Sequence, residues 1–226
     1  MQDSAKRLFD IVSSSVALVI LAIPLLLIAL WIRLDSPGPI LFRQTRIGRH
    51  GRPFSIVKFR SMRHRNPQGI DQHAEPVVTT GHDPRITRAG RLLRATSLDE
   101  LPQLWNILVG EMSVVGPRPV LPEQVEVVPD HLRQRFQVRP GLTGLAQVRG
   151  RRSLSWLDQL AADQEYVARH SLVMDLGLIV RTIGVLFTGS GVYGGEAQNW
   201  RAYRDTLKRS ARPVSSSTKP SNHGPS

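Results

Sequence analysis

The sequence contains no cysteine. That absence removes disulfides and thiolate metal sites together, and with them the disulfide-stapled secreted modules and the zinc ribbons. The seven histidines show no HxxxH or comparable ligand spacing, so no transition-metal centre is expected either. Aromatic residues make up only 6% of the chain and are not interleaved with the basic ones. A membrane-tethered nucleic-acid-binding protein would fit the basic charge alone, but that missing interleaving and the lack of a reading motif argue against nucleic acid as a partner. Acidic residues are in deficit: 18 Asp and Glu face 30 Lys and Arg, a formal charge of +12. The balance favours an anionic partner such as anionic membrane lipid or a phosphorylated substrate. At 226 residues the chain is long enough for one domain with a core and short for two.

Charge is also missing from the run IVSSSVALVILAIPLLLIALWI, Ile11 to Ile32. A run of about twenty such residues is long enough to cross a bilayer as a helix. Asp10 abuts it and no small-x-small site follows, which argues against a cleaved leader. Lys6 and Arg7 precede the run, whereas Arg33, Arg43, Arg46, Arg49 and Arg52 follow it, so the positive-inside rule draws both ends to the cytoplasmic face. Pro24 lies near the middle, where it removes a backbone hydrogen bond. Each arm is then roughly 15–20 Å long, short of a ~30 Å hydrocarbon core. A helix-break-helix that enters one leaflet and returns satisfies length, charge and proline together. A kinked full span remains the alternative.

Downstream, ILFRQTRI and FSIVKFRSM are separated by GRHGRP and read as a β-hairpin. Alternation puts Phe54, Ile56 and Lys58 on one face, so Lys58 either snorkels from the core edge or points into an anion site. The polar stretch from Arg63 to Pro84, with His64, His73 and His82, reads as a long loop. TRAGRLLRA predicts a helix with Arg88, Arg91 and Arg94 in one stripe. Leu101, Leu104, Trp105 and Leu108 predict a buried helix face. In GEMSVVGPRP, Arg118 is held between two prolines on a stiff loop. RPGLTGLAQVRGRRS sets Gly141, Gly144 and Gly150 among Arg139, Arg149, Arg151 and Arg152, where glycines would let the backbone approach a ligand and arginines would meet phosphate. A helical pattern runs from Trp156 to Phe187. Its apolar stripe of Leu172, Leu176, Ile179, Ile183 and Leu186 is interrupted by Asp175 and Arg181, which predicts an amphipathic helix on the membrane surface or against the core. Gly189, Gly191 and Gly194 match GxGxxG but have neither a strand before nor a helix after, so the dinucleotide reading fails. From about Ser210 the composition predicts disorder.

The stretch TSLDELPQLWN, Thr96 to Asn106, sets Asp99 beside Glu100. Ser97 to Glu100 spells a capping box, although Pro102 would then sit at the fifth helical position; a start at Asp99 puts it at the third. Either way the carboxylates lie at the positive end of a helix, which favours their ionised forms. Adjacent side chains diverge by about 100°, so the two acids suit different tasks. One as nucleophile on a phosphoryl group and the other on a hard divalent ion is such a division.

KRLFD before the broken apolar run, KFRSM, SLDELPQLWNILVGEMSVVGPRP and RPGLTGLAQVRGR together resemble the bacterial sugar transferases, the monotopic polyprenyl-phosphate sugar-1-phosphate transferases. The resemblance runs from about Lys6 to Phe187. It implies an enzyme that moves a sugar 1-phosphate from a UDP-sugar to a polyprenyl phosphate, releases UMP, and starts a glycan such as an exopolysaccharide, capsule or O-antigen. It assigns Asp99 as the nucleophile that forms a covalent phosphosugar and Glu100 as the Mg²⁺ ligand. Lys58, Arg118 and Arg151 are expected around the donor, with Asp163 and Asp175 as further substrate-site positions. Arg149 stands where such proteins often have asparagine, and Ile23 where they often have serine. A non-catalytic scaffold for glycan assembly is the other reading.

The expected architecture is α+β and mainly helical. It comprises a re-entrant membrane helix over 1–33 broken at Pro24, a cytoplasmic catalytic domain over 34–190 with a small hairpin and amphipathic interfacial helices, and a C-terminal extension over 191–226. The expected location is the cytoplasmic face of the bacterial inner membrane. The sequence is compatible with a homodimer as well as a single chain.

Overall fold

The computed structural model describes residues 2–63, 83–188 and 199–210. It is mainly helical with two small two-stranded sheets, as expected. Most of the polar loop, the GxGxxG stretch and the tail beyond Ser210 lie outside the described residues.

Helices α1 (Gln2–Ile20) and α2 (Ala22–Asp35) meet at a 62° bend. The bend follows from Pro24, which has no amide to return to the Ile20 carbonyl four residues earlier and crowds it with its ring. Among the described residues no single helix is long and apolar enough to cross a membrane; the bent pair together carries the required length and composition. Val19, Ile20, Ile23, Leu26, Leu27 and Leu30 remain exposed on it. Among the described residues nothing covers this apolar surface.

The amino-terminal motif KRLFD fastens α1 to distant parts of the chain. Lys6 pairs with Asp175, and Arg7 donates to the Ile107 and Leu108 carbonyls at 2.6 and 2.7 Å. Buried Asp10 accepts from Ser113 Oγ at 2.9 Å and Val114 N at 3.0 Å. At the far end of α2, Arg60 of KFRSM donates to the Ser36 carbonyl at 2.7 Å, satisfying a free helix-end acceptor. Asp35 reaches the Ala89 amide at the start of the next helix.

Strands β1 (Leu41–Ile47) and β2 (Pro53–Phe59) pair antiparallel with Leu41 opposite Phe59, so the expected hairpin forms. Helix α3 (Arg88–Thr96) starts at Thr87, whose hydroxyl accepts from Gly90 N at 2.9 Å. Leu93 packs with Ile32 and Phe59 beneath it. Helix α4 (Gln103–Val109) buries Leu104 and Ile107 against Ile56 and Met112. The expected stripe is partly wrong: Trp105 is 56% exposed, because the buried face runs through Leu104 and Ile107 with the polar Gln103 and Asn106.

Strand β3 (Ser113–Val115) runs parallel to β4 (Gly141–Thr143), and short α5 (Pro122–Val125) and a 3-10 segment (Asp130–Gln137) lie between them in sequence. After α6 (Leu145–Arg149) come α7 (Trp156–Arg169) and α8 (Leu172–Thr188), broken at His170 and Ser171. On α8, Leu178 and Asp175 face the protein, while Leu172, Val173, Leu176, Val180, Ile183 and Leu186 are exposed. The sequence stripe on α8 is therefore largely turned away from the core. Helix α9 (Trp200–Ser210) lies inside the stretch assigned to the extension, yet Trp200 is buried with Val120, Leu132, Trp156 and Leu160.

Candidate active site

Ser97 ends a helix rather than starting one. Its φ of 59° places it in the left-handed region, where it closes α3, and its side chain makes no capping bond to the next turn. The chain then makes one 3-10 turn, Leu98–Glu100, and α4 begins only after Pro102. The capping-box reading of Ser97 to Glu100 is thus corrected: Glu100 is committed elsewhere, and both carboxylates sit on a tight turn between two helices.

Long-range contacts bring cations to that turn. Asn106 on α4 accepts from Val57 N at 3.0 Å and donates to the Ser55 carbonyl at 2.8 Å, which pins β2 beside the turn. Lys58 consequently reaches Glu100, its Nζ 2.7 Å from Oε1. Lys58 thus points at the Glu100 carboxylate rather than out to solvent. Arg118 donates from Nη2 to the same oxygen at 2.6 Å, and its Nη1 lies 3.4 Å from Oε2. Arg151, with φ 54°, sends Nη2 to within 3.4 Å of Ser97 Oγ at the edge of the same turn.

The neighbouring acids differ electrostatically. Burial disfavours the charge on Glu100, but the charges and hydrogen bonds of Arg118 and Lys58 outweigh it and hold the carboxyl well below the ordinary range. Asp99 has no hydrogen bond or ion pair among the described residues and is 9% exposed. Burial, reinforced by the Glu100 charge and offset by Lys58, Arg94 and Arg118, pushes it up to about 6. The helix-dipole expectation therefore fails for Asp99, where desolvation is the larger effect. Burial also holds the Lys58 ammonium below the ordinary lysine value.

The glycines of the two loops pack against each other. Gly116 N donates to the Thr143 carbonyl and Gly141 N to the Pro117 carbonyl, both at 2.9 Å. A Cβ on Gly141 would lie 2.1 Å from Gly116 N, and one on Gly144 2.1 Å from the Gly116 carbonyl oxygen. This close backbone packing seats the loop that carries Arg118. Of the loop arginines, Arg139 is tied to the Gly110 carbonyl at 2.9 Å and Arg149 to Glu165 at 2.6 Å, so Arg151 is the one brought to the acidic turn. The Arg152 side chain lies outside the described residues.

Asp163 and Asp175 join the structure differently from the expected substrate contacts. Asp163, buried on α7, is 3.0 Å from Arg135 Nη2. Asp175, also buried, accepts from Lys6 and from the Tyr166 hydroxyl at 2.8 Å. Each carboxylate is occupied by protein partners and ties elements together. Sequence reasoning missed Asn106 and Arg135. Neither carries a local signal, because their partners lie far away in the chain.

The family model for bacterial sugar transferases matches residues 1–189. The chain is similar to a UDP-glucose:undecaprenyl-phosphate glucose-1-phosphate transferase of Caulobacter vibrioides, at 44% identity over 84% of this chain and 73% of that one. It is also similar to the exopolysaccharide production protein PSS of Rhizobium leguminosarum bv. phaseoli, at 47% identity over 79% of this chain and 92% of that one. An undecaprenyl-phosphate galactose phosphotransferase of Salmonella typhimurium is 38% identical over 83% of this chain, which spans 41% of that protein. The chain belongs to the bacterial sugar transferase family.

Proposed function

We propose that the protein transfers a sugar 1-phosphate from a UDP-sugar to undecaprenyl phosphate and releases UMP, the first step of an exopolysaccharide or related surface glycan. The names of its relatives support the substrate classes. The observation that carries the chemistry is the unlike pair: Glu100 gripped by Lys58 and Arg118, and Asp99 beside it unpaired and raised to about 6. Neighbouring groups whose affinities for the proton are driven apart are suited to separate roles.

In this reading the Asp99 carboxylate attacks the sugar-bearing phosphorus of the donor. The bond from that phosphorus to the bridging oxygen breaks, UMP leaves with the electron pair, and an aspartyl phosphosugar remains. A phosphate oxygen of undecaprenyl phosphate then attacks the same phosphorus and frees Asp99. A carboxylate with a raised pKa is more basic, hence the better nucleophile, and is still mostly ionised near pH 7. Arg118, Lys58 and Arg151 offer cations to the diphosphate in both steps.

Mg²⁺ fits the donor set. Oε1 of Glu100 takes both short contacts, while Oε2 has only the 3.4 Å approach of Arg118 and would be the oxygen to hold a hard cation. The remaining ligands of such an ion would come from substrate phosphate and water. Bound there, it would offset charge on the donor diphosphate and on the departing UMP. Asp163 and Asp175 act in this reading as scaffold rather than substrate contacts.

The bent pair α1–α2 enters the cytoplasmic leaflet and returns, with anionic lipid headgroups against the arginines at its ends. The exposed apolar face of α8 rests on the same surface. The test is a UMP-release assay on the purified protein with Mg²⁺, undecaprenyl phosphate and a panel of UDP-hexoses and UDP-N-acetylhexosamines. Release with at least one sugar, lost in a folded Asp99→Asn variant, is expected; silence across the panel overturns the reading.

A further inference from the structure

Arg135 lies at 4% exposure in the 3-10 segment Asp130–Gln137. Its Nη2 is 3.0 Å from Asp163 Oδ2 and also donates to the backbone carbonyl of Arg118 at 2.5 Å. The Phe136 ring lies 5.6 Å below the guanidinium. A buried ion pair is seldom kept for stability alone, because an apolar pair of similar volume does as well. Here the pair has a third partner, the residue whose side chain holds Glu100.

The Arg118 loop needs such a partner. On its amino side it is tied to β4 by Gly116 N, and on its carboxyl side Ile47 N donates to the Val120 carbonyl at 2.9 Å. The flanking Pro117 and Pro119 are buried, and the Pro117 carbonyl accepts from Gly141 N at 2.9 Å. Beside Arg118 itself a small hollow remains between Ile47, Gly48, Pro117, Val138 and Pro140. Arg135 crosses the gap as a polar strut, and Asp163, whose other oxygen has no partner, orients it.

We propose that Arg135 and Asp163 form a positioning unit for Arg118, in which Arg135 holds the Arg118 carbonyl so that the Arg118 guanidinium is aimed at the donor diphosphate. This rests on the donor role given to Arg118 above. Neither member touches substrate. Asp163, expected from the sequence at the substrate site, then acts on Arg118 through one ion pair and one hydrogen bond.

Arg135→Met alone would strand a buried carboxylate, so the informative variant is Arg135→Met with Asp163→Leu, which removes both charges and keeps the volume. Hydrogen exchange over residues 114–121 of the intact protein reads the loop without any turnover. Kinetics with the accepted UDP-sugar read the aim. The expected result is an unchanged melting temperature or a higher one, faster exchange confined to that loop, and a donor KM raised about tenfold with the undecaprenyl-phosphate KM unchanged. In an Arg118→Ala background the same pair of changes should add less than about twofold, since its route is gone. Unaltered exchange in the loop, or an equal further loss in the Arg118→Ala background, overturns the proposal. Loosening of the loop in a protein that releases UMP from no donor would sink the functional reading and leave the positioning of Arg118 standing.

Discussion

Lys58 on β2 and Glu100 on the 3-10 turn are joined by a 2.7 Å hydrogen bond across 42 residues of sequence. With Arg118 on the same carboxylate oxygen, the contact keeps Glu100 ionised between two cations and leaves a net positive charge at the turn. Asp99, one residue earlier, is inside the same field without a bond to it. The electrostatic difference between the two adjacent acids thus has a structural origin.

Asp99 should impose a pH limb. Only its ionised form attacks, and it titrates at about 6, so kcat/KM should rise about tenfold per pH unit below 6 and level off above 7. Stability runs the other way. The folded-state value exceeds the ordinary 3.8, so the folded protein binds the extra proton between these values and loses stability as pH rises through about 6. Asp99→Asn should therefore raise stability by about 1–3 kcal/mol at pH 8 and by almost nothing at pH 3. Melting curves at the two pH values check the sign; a gain that is equal at both contradicts it.

Glu100→Gln should damage both stability and turnover. The variant leaves Lys58 and Arg118 close together without their counter-ion, and breaking a buried ion cluster from one side costs about 3 kcal/mol. UMP release should fall by about 10²-fold or more even where the variant remains folded. A folded variant with wild-type rates and undiminished Mg²⁺ dependence would show that Glu100 is only structural.

Gly144→Ala should disturb the Arg118 loop rather than a substrate contact. The added methyl would lie 2.1 Å from the Gly116 carbonyl oxygen, a backbone atom that cannot swing aside. A loss of about 1–3 kcal/mol in denaturant midpoints is expected, as for other overpacked sites. Gly51→Ala meets no atom within 4 Å, although its φ of 74° adds some strain, and serves as the milder comparison.

The absence of cysteine makes the membrane arrangement directly testable. Ser4→Cys and Leu34→Cys each place a single exposed thiol near one end of the bent pair. In intact cells a membrane-impermeant maleimide should label neither, and in inverted vesicles both. Labelling of one site in cells and of the other only in inverted vesicles would instead establish a full span.

Local patterns made some of this arrangement legible. Alternation located the β1–β2 hairpin, and Pro24 with the apolar run located the bend, because in each case the deciding forces act within a few residues. Ser97 shows where that logic stops. S-x-x-E is a sound helix-start signal, but the left-handed turn at Ser97 and the pull of Lys58 and Arg118 on Glu100 override it. The protein partners of Asp163 and Asp175 were not legible, since Arg135 is 28 residues away from the first and Lys6 169 from the second. Arg135 and Asn106 carried no local signal at all. Their meaning lies in which loop or strand they fasten.

The central claim, that Asp99 carries the phosphosugar, is tested most directly by intact-protein mass spectrometry after incubation with Mg²⁺ and the accepted UDP-sugar, with undecaprenyl phosphate left out. The wild-type protein should gain the mass of one sugar phosphate, lose it when undecaprenyl phosphate is added, and show the modification on the peptide containing Asp99; Asp99→Asn should gain nothing. Full catalytic turnover without any such adduct under rapid quenching, or an adduct that persists in the Asp99→Asn variant, would contradict the account.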